Sequence, residues 1–353
     1  MAVIDAFLAE ILERRGSDLH FIAGDPPRLR LYGDLQQLRP EKLEPQMVKD
    51  ALYEIMPKAA TDRFEAQDGA DFAYSFGERG RFRVNVLRHL CGVGAVFRAI
   101  PSNAMTLDEL NLPEAVRQMC RASQGLILVT GKTGSGKSTT LAAMIDDINT
   151  RVKGHILTIE DPIEFVHQRK SCLVSQREIG VHAKSFSTAL HSALREDPDV
   201  ILVGELRDLE TMGIAVTAAE MGILVMGTLH TNGAAQTVDR MINVFPSEKQ
   251  SHVRTMLSTS LRGVVSQQLL QRPDRQGRVA ALEILVNTPA ASNLIRQGKL
   301  DQLENIMQSG AQFGMRTMDK AIQQLLDQKL ITGKEAYKKA INKSRFEGLK
   351  EQG

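Results

Sequence analysis

An apolar run followed at once by a glycine-rich loop lies near the middle of the chain: Leu126-Ile127-Leu128-Val129-Thr130-Gly131-Lys132-Thr133-Gly134-Ser135-Gly136-Lys137-Ser138-Thr139. Its second half fits the pattern G-x-x-x-x-G-K-[ST] at every fixed position. The apolar run predicts a strand, and a helical pattern begins near Lys137. Because the glycines let backbone N–H groups point at phosphate oxygens, this order of elements is typical of a phosphate-binding loop.

Each position of this loop has an expected part in nucleotide binding. We expect the Lys137 ammonium to reach the β- and γ-phosphates of ATP, and the Ser138 hydroxyl to ligate Mg²⁺. The predicted nucleotide-binding residues are Gly131, Lys132, Thr133, Gly134, Ser135, Gly136, Lys137, Ser138 and Thr139.

Three further apolar runs end in polar side chains that suit ATP hydrolysis. The run 200–203 leads to Glu205, which could polarise the attacking water or hold Mg²⁺ through one, with Lys137 as the catalytic cation. Alternatively, it is one of the many carboxylates that end a strand without a catalytic role.

The run 155–159 leads to the acidic turn 160–164, and the run 223–229 leads to His230. Within the turn, Glu160 is a candidate Mg²⁺ ligand, and Glu164 is a rival or helper of Glu205 in activating water. His230 could sense the γ-phosphate. The alternatives are a solvated turn that caps a strand and a structural histidine.

The uniformly apolar strands predict an α/β fold, because strands buried on both faces belong to a mainly parallel sheet flanked by helices. Before this region, an amphipathic helix over 3–12 and alternating strands at 81–86 and 94–98 predict a small α+β domain. We expect an N-terminal domain over 1–100, a linker over 101–123, an ATPase core over 124–288 and a helical region over 289–353. The polar tail after Asn342 is expected to be mobile.

Composition excludes several classes of protein. The 353 residues carry 44 basic and 42 acidic side chains, so no net charge favours nucleic acid. No apolar run approaches the ~20 residues of a membrane span, and the N-terminus lacks the basic start of a signal peptide. The three cysteines are far apart, which gives no zinc pattern. We therefore expect a soluble cytoplasmic protein that binds neither nucleic acid nor zinc.

The combination of motifs resembles the secretion ATPase superfamily of type IV pilus and type II secretion motors. It is most similar to the retraction (twitching motility) branch, PilT/PilU. In that family 131–138 is the Walker A motif, 160–164 lies in the Asp box, 197–205 covers Walker B and 220–230 covers the His box. The resemblance extends to 17–20, 81–86 and 314–319.

This resemblance implies a cytoplasmic homohexamer at the inner membrane of the pilus base, working with a membrane platform protein to drive pilin disassembly. Each subunit would combine an N-terminal PAS-like domain with a RecA-like ATPase domain, and ATP would bind between them. Arg83 and Arg98 match family arginines that reach toward the nucleotide and complete the catalytic set. The alternative is that both are ordinary strand arginines facing water.

Two positions depart from the family pattern. Gly222-Ile223 stands where the His box begins Gly-His, and Ala291-Ser292 stands where the retraction motif has Ile-Arg. The second departure resembles PilU more than PilT. It leaves open an accessory ATPase, or a weakly hydrolysing regulatory subunit, that depends on a paralogous motor. A GTPase is disfavoured because Asn342-Lys343-Ser344-Arg345 fails the base-reading pattern at its last position, and an extension motor because the four-cysteine zinc site is missing.

Overall fold

The computed structural model describes residues 2–14, 16–31, 34–77, 79–100, 104–274 and 277–350. The chain divides into two compact units, Met1–Ser102 and Asn103–Gly353. The division falls two residues beyond the domain end at residue 100 that we expected from the sequence.

The first unit is an antiparallel sheet packed against helices. Its elements are α1 (Asp5–Arg14), β1 (Asp18–Ile22), β2 (Arg28–Leu31), β3 (Asp34–Gln37), α2 (Pro45–Ile55), α3 (Lys58–Gln67), β4 (Gly69–Phe76), β5 (Gly80–His89) and β6 (Gly92–Ile100). The strand order is β3-β2-β1-β6-β5-β4, and every neighbouring pair is antiparallel. Alternate residues, such as Leu19, Phe21 and Phe97, are fully buried in one hydrophobic cluster with α1 residues including Leu8 and Ile11. This is the predicted α+β arrangement.

The second unit is built on a mainly parallel sheet. Its elements are α4 (Glu114–Cys120), β7 (Gly125–Thr130), α5 (Lys137–Arg151), β8 (His155–Glu160), β9 (Leu173–Glu178), α6 (Phe186–Ala193), β10 (Val200–Val203), α7 (Leu209–Glu220), β11 (Leu224–Leu229), α8 (Ala234–Asn243), α9 (Ser247–Ser260), β12 (Leu261–Gln271), β13 (Arg278–Val286), α10 (Pro289–Gln297), α11 (Leu303–Ser309), α12 (Met318–Asp327) and α13 (Gly333–Lys339). The strand order is β13-β12-β7-β11-β10-β8-β9, and only β13 pairs antiparallel.

Both faces of this sheet are covered, as the apolar strands predicted. Within β7, Leu126 and Leu128 are fully buried in one hydrophobic cluster, whereas Ile127 and Val129 are fully buried in another. A strand sends alternate side chains to opposite faces, so the two clusters are the two cores on either side of the sheet. The predicted α/β class is confirmed.

Two expectations about the ends of this unit need correction, and two of its strands were not expected. The segment expected to be a linker is folded where the structure describes it, because Leu107, Leu112 and Val116 are buried against the sheet; 101–103 lie outside the described residues. The polar tail is also folded as far as residue 350, where the described part ends: a 3-10 helix over Lys343–Leu349 buries Phe346, which is 1% exposed. The strands β12 and β13 were not predicted, since β12 mixes serine and glutamine into its apolar pattern.

The cysteines are all free thiols in different settings. Cys91 is exposed on the turn between β5 and β6, whereas Cys120 and Cys172 are buried. Burial raises the pKa of Cys120 to about 12 and also raises that of Cys172. Within the described ranges, no helix is long and apolar enough to cross a membrane.

Candidate nucleotide site

The glycine-rich loop adopts a backbone that requires glycine. Gly131, Gly134 and Gly136 have φ angles of 140°, 78° and 88°. Packing also requires glycine, because a Cβ on Gly131 would lie 2.4 Å from the Gln267 carbonyl oxygen, and one on Gly136 would lie 2.7 Å from its Nε2. Gln267 on β12 therefore packs directly against the loop, a contact that the loop sequence alone does not reveal.

The side chains of the loop are arranged to receive phosphate. Lys137 begins α5, and its Nζ donates to the carbonyl oxygens of Gly131 at 2.8 Å and Lys132 at 3.3 Å. Burial lowers the pKa of Lys137, and the negative charge of Glu205 opposes that shift. The buried Ser135 hydroxyl has no hydrogen-bond partner among the residues that the structure describes. An anion bound by the loop would offer acceptors to both groups.

Glu205 lies just beyond β10 and is held from two sides. Arg207 Nη2 lies 2.7 Å from Glu205 Oε2, and His230 Nε2 lies 3.3 Å from Glu205 Oε1. Although burial raises the pKa of Glu205, the hydrogen bond and charge of Arg207 and the neighbouring His230 imidazole hold it below its usual value. Glu205 thus remains an ionised acceptor beside Lys137. Arg207 was not predicted from the sequence. Its position two residues after Glu205 was the signal that could have identified it as a partner of that carboxylate.

The acidic turn after β8 divides into a buried and an exposed carboxylate. Glu160 is 7% exposed and accepts hydrogen bonds from Thr158 Oγ1 at 2.7 Å, Gln176 Nε2 at 3.2 Å and Glu164 N at 3.3 Å. Burial raises the pKa of Glu160. Its carboxylate holds the turn that carries the exposed Glu164. Its burial and the hydrogen bonds that both of its oxygens accept disfavour Glu160 as a Mg²⁺ ligand, which leaves Ser138 and Glu205 as the candidates.

Sheet topology brings the motifs to one edge. The neighbouring strands β7, β11, β10 and β8 run parallel, with Thr130 opposite Leu229, and Val203 opposite both Gly227 and Ile159. The loop at 131–138, His230, Glu205 and the acidic turn all follow the carboxyl ends of these strands. Ligands of open α/β sheets bind at this edge.

The expected Mg²⁺ ligands suit the ion chemically. The Ser138 hydroxyl and the Glu205 carboxylate are oxygen donors, which Mg²⁺ prefers. Among the residues that the structure describes, no group of three or more His, Cys, Asp or Glu side chains could hold a metal ion. A nucleotide-bound Mg²⁺ does not need such a group, because phosphates and waters supply most of its ligands.

The departures from the family pattern lie away from the phosphate edge. Ile223 immediately precedes β11, so it is at the opposite end of that strand from His230, roughly 20 Å away. Ala291 in α10 is fully buried, and the Ser292 hydroxyl donates to the Ser258 carbonyl oxygen at 2.6 Å. The side chain at 291 therefore packs inside the unit and offers no surface for a partner.

The two candidate arginines of the first unit lie side by side on its sheet. Arg83 on β5 is directly opposite Arg98 on β6, which is opposite Asp18 on β1. Arg98 Nε lies 2.8 Å from Asp18 Oδ1, although the Arg98 side chain is 65% exposed. Arg83 Nε is 3.8 Å from Asp71 Oδ1. Asp18 thus anchors one end of an exposed guanidinium.

Known proteins are similar to this chain in both sequence and fold. The family described as Type II/IV secretion system protein matches residues 1–343. The chain is 49% identical to the type IV pilus retraction ATPase PilT of Pseudomonas aeruginosa over 337 residues, which cover 96% of this chain and 98% of that protein. It is 41% identical to the type IV pilus ATPase PilU of the same organism, over 94% of this chain and 87% of PilU.

A solved structure agrees with these relatives. The crystal structure of the pilus retraction motor PilT with bound ADP superposes with a TM-score of 0.91 at 42% identity, covering 99% of this chain and 100% of that one. The predicted secretion ATPase resemblance is confirmed, with higher identity to PilT than to PilU. This chain belongs to the Type II/IV secretion system protein family.

Proposed function

We propose that this chain is the motor ATPase of type IV pilus retraction, which couples ATP hydrolysis to pilin disassembly and twitching motility. The observation that carries the proposal is the convergence of Lys137, Glu205 and His230 beside the glycine-rich loop. The negative charge of Glu205 opposes the lowering of the Lys137 pKa by burial, and Glu205 is fixed by Arg207 and His230. The high identity to PilT supports the retraction role.

In this proposal each group has a part in hydrolysis. Lys137 would exchange its bonds to the loop carbonyls for phosphate oxygens, and the loop amides would bind the β-phosphate. Ionised Glu205 would orient the water and accept its proton as the water attacks the γ-phosphorus and the bond to ADP breaks. Mg²⁺, held by Ser138 and by Glu205 through water, would neutralise charge on the phosphates.

Assembly would complete the site. Six copies would form a ring, in which Arg83 and Arg98 would stabilise the phosphate charge of bound ATP. In this scheme Asp18 keeps Arg98 oriented. The ring would act at the cytoplasmic side of the inner membrane on a pilus platform protein. The proposal includes no nucleic-acid partner.

The accessory alternative rests on the Ala291-Ser292 departure and a paralogous motor. The burial of Ala291 weakens it, because the lost isoleucine cannot be counted as a surface anchor for a partner. The absence of the family arginine still supports the accessory alternative, because position 292 is only half-buried. This reading is decided by a strain in which this chain is the sole retraction ATPase.

The test combines biochemistry with a gene deletion. The purified chain should hydrolyse ATP with Mg²⁺, and deletion of the gene should leave excess surface pili and little twitching. Full motility in the sole-ATPase strain would assign the primary motor role, and weak motility there the accessory role. A deletion strain without surface pili would contradict retraction and indicate an extension motor.

A further inference from the structure

Glu283 is a buried carboxylate that joins the starts of two helices. It lies on β13 and is 5% exposed. Its Oε1 accepts a hydrogen bond from the Ala234 backbone N–H at 2.7 Å, and its Oε2 accepts one from Met318 at 3.0 Å. These donors are the first residues of α8 and α12. One side chain thus caps two helix N-termini that are far apart in sequence.

The double cap explains how this carboxylate stays inside the protein. Burial raises the pKa of Glu283, and the two backbone hydrogen bonds oppose that shift. Both helices also direct the positive ends of their dipoles at the carboxylate. The two N–H donors need two acceptor oxygens. An ionised carboxylate provides both, whereas an amide provides only one.

One of the two capped helices contacts the nucleotide site. Thr237, in the first turn of α8, has its Oγ1 2.8 Å from Thr231 Oγ1 and 3.3 Å from Thr130 Oγ1. Thr231 directly follows His230, and Thr130 directly precedes Gly131. The first turn of α8 therefore contacts both the loop 230–233, called the His230 loop, and the residue that precedes the phosphate-binding loop.

The other capped helix is fixed to β13 by its leading segment. Arg316 and Ile284 exchange backbone hydrogen bonds of 2.9 and 3.1 Å, and Arg316 Nε donates to the Leu282 carbonyl oxygen at 2.8 Å. These contacts bracket Glu283 on its own strand. A displacement of the C-terminal helices, α12 and α13, would consequently act on β13 and on the Glu283 carboxylate that caps α8.

We propose that Glu283 is a positioning residue that ties the His230 loop, through α8, to the C-terminal helices. The inference rests on the proposed function for its effect on ATP turnover, whereas its structural part stands independently. It makes the C-terminal helices a place where a partner that moves them changes the position of His230 without touching the nucleotide.

The decisive variant is Glu283→Gln, which keeps the volume but turns one acceptor oxygen into a donor facing an N–H group. Amide hydrogen exchange in the full chain should accelerate at the starts of both α8 and α12, by about tenfold for the loss of one hydrogen bond to a charged group. In the same protein kcat should fall by about tenfold with little change in the affinity for ADP, because the loop that binds nucleotide is intact.

A matched control is available in the same region. Asp319 accepts hydrogen bonds from the Ile341 and Asn342 backbone N–H groups at 2.7 and 2.9 Å, away from α8. Asp319→Asn should accelerate exchange near 341–342 and leave kcat unchanged. A fall in kcat as large as that of Glu283→Gln, with exchange at the start of α8 unchanged, would overturn the inference, because turnover would then respond to the C-terminal segment by a route that does not pass through Glu283 and α8.

Other outcomes are equally decisive. If Glu283→Gln leaves exchange at both helix starts unchanged, or loosens α8 with kcat unchanged, the coupling is wrong. If it loosens only α12, because the remaining amide oxygen keeps the cap on α8, the variant Thr237→Val decides. Should Glu283→Gln fail to fold, Thr237→Val decides, since it removes only the hydroxyl contacts: an unchanged kcat overturns the inference, and a reduced kcat with unchanged exchange at α12 supports it. Absence of hydrolysis in the unmodified chain would refute the proposed function, while the exchange pattern would still test the double cap.

Discussion

The two sheets of this protein place charged side chains in different ways. In the antiparallel sheet of the first unit, Arg83, Arg98 and Asp18 stand opposite one another across neighbouring strands on the face that carries no core. In the parallel sheet of the second unit, Glu205 and His230 lie beyond the strand ends. Because helices cover both faces of the parallel sheet, only its ends are open to a ligand.

The two arrangements differ in what fixes the orientation of a functional side chain. A side chain on an open sheet face is oriented by its cross-strand partner, as Arg98 is by Asp18. A side chain on a loop beyond a strand depends on whatever fixes that loop, as His230 depends on the contacts of α8. We therefore expect the largest losses of activity from the strand ends and smaller ones from the sheet face.

The largest effect is expected at Lys137. Lys137→Ala removes the half-buried cation from the phosphate-binding loop, where a charged hydrogen bond contributes about 1.5–3 kcal/mol and several such bonds to the β- and γ-phosphates are expected. ATP hydrolysis should fall to background in a phosphate-release assay. The exposed Lys153 in the same unit provides the control, and Lys153→Ala should retain full turnover. Near-normal hydrolysis by Lys137→Ala would show that the loop does not bind the nucleotide.

A large but selective effect is expected at Glu205. Glu205→Gln keeps the shape but loses the basicity, so ATP should still bind while turnover falls by about 10²–10⁴-fold, as when a general base is lost. Binding can be followed with a fluorescent ATP analogue and turnover with phosphate release. Glu164→Gln is the matched comparison, because its carboxylate is exposed on the neighbouring turn. Unchanged turnover in Glu205→Gln together with collapse in Glu164→Gln would transfer the role to Glu164.

The smallest effects are expected on the open face of the first sheet. Arg98→Ala should lower turnover without dissolving the assembly, and Asp18→Asn should lower it less, because the guanidinium remains but loses its ionised anchor. Light scattering measures the assembly, and the specific activity of the unmodified chain should rise with concentration until rings are complete. Arg14→Ala on α1 is the control. A fully active monomer would contradict the proposal that assembly completes the site.

Local patterns in the sequence were sufficient for the parallel sheet and the phosphate loop. The uniformly apolar runs at 126–130 and 200–203 predicted strands buried on both faces, and both are found there. Glu205 and His230 were identifiable because each follows such a run. Glycine spacing likewise marked the loop, since the required backbone is local.

Contacts between distant segments could not be predicted in this way. Gln267 beneath the loop and Glu283 between two helices lie on β12 and β13, which carry polar residues inside apolar runs. Their importance depends on partners more than 30 residues away, such as Thr140 and Ala234. The tail was misjudged for the same reason: its polar composition concealed Phe346, which finds its core only in the folded unit.

The distribution of the three thiols makes this protein convenient for spectroscopy. A maleimide dye reacts with an accessible thiolate, and Cys91 is the exposed cysteine, whereas burial raises the pKa of Cys120 and Cys172 and shields both. The native chain can therefore carry one dye per molecule on the β5–β6 turn without cysteine removal. A second introduced thiol would provide an energy-transfer pair whose separation can be followed during each ATP turnover.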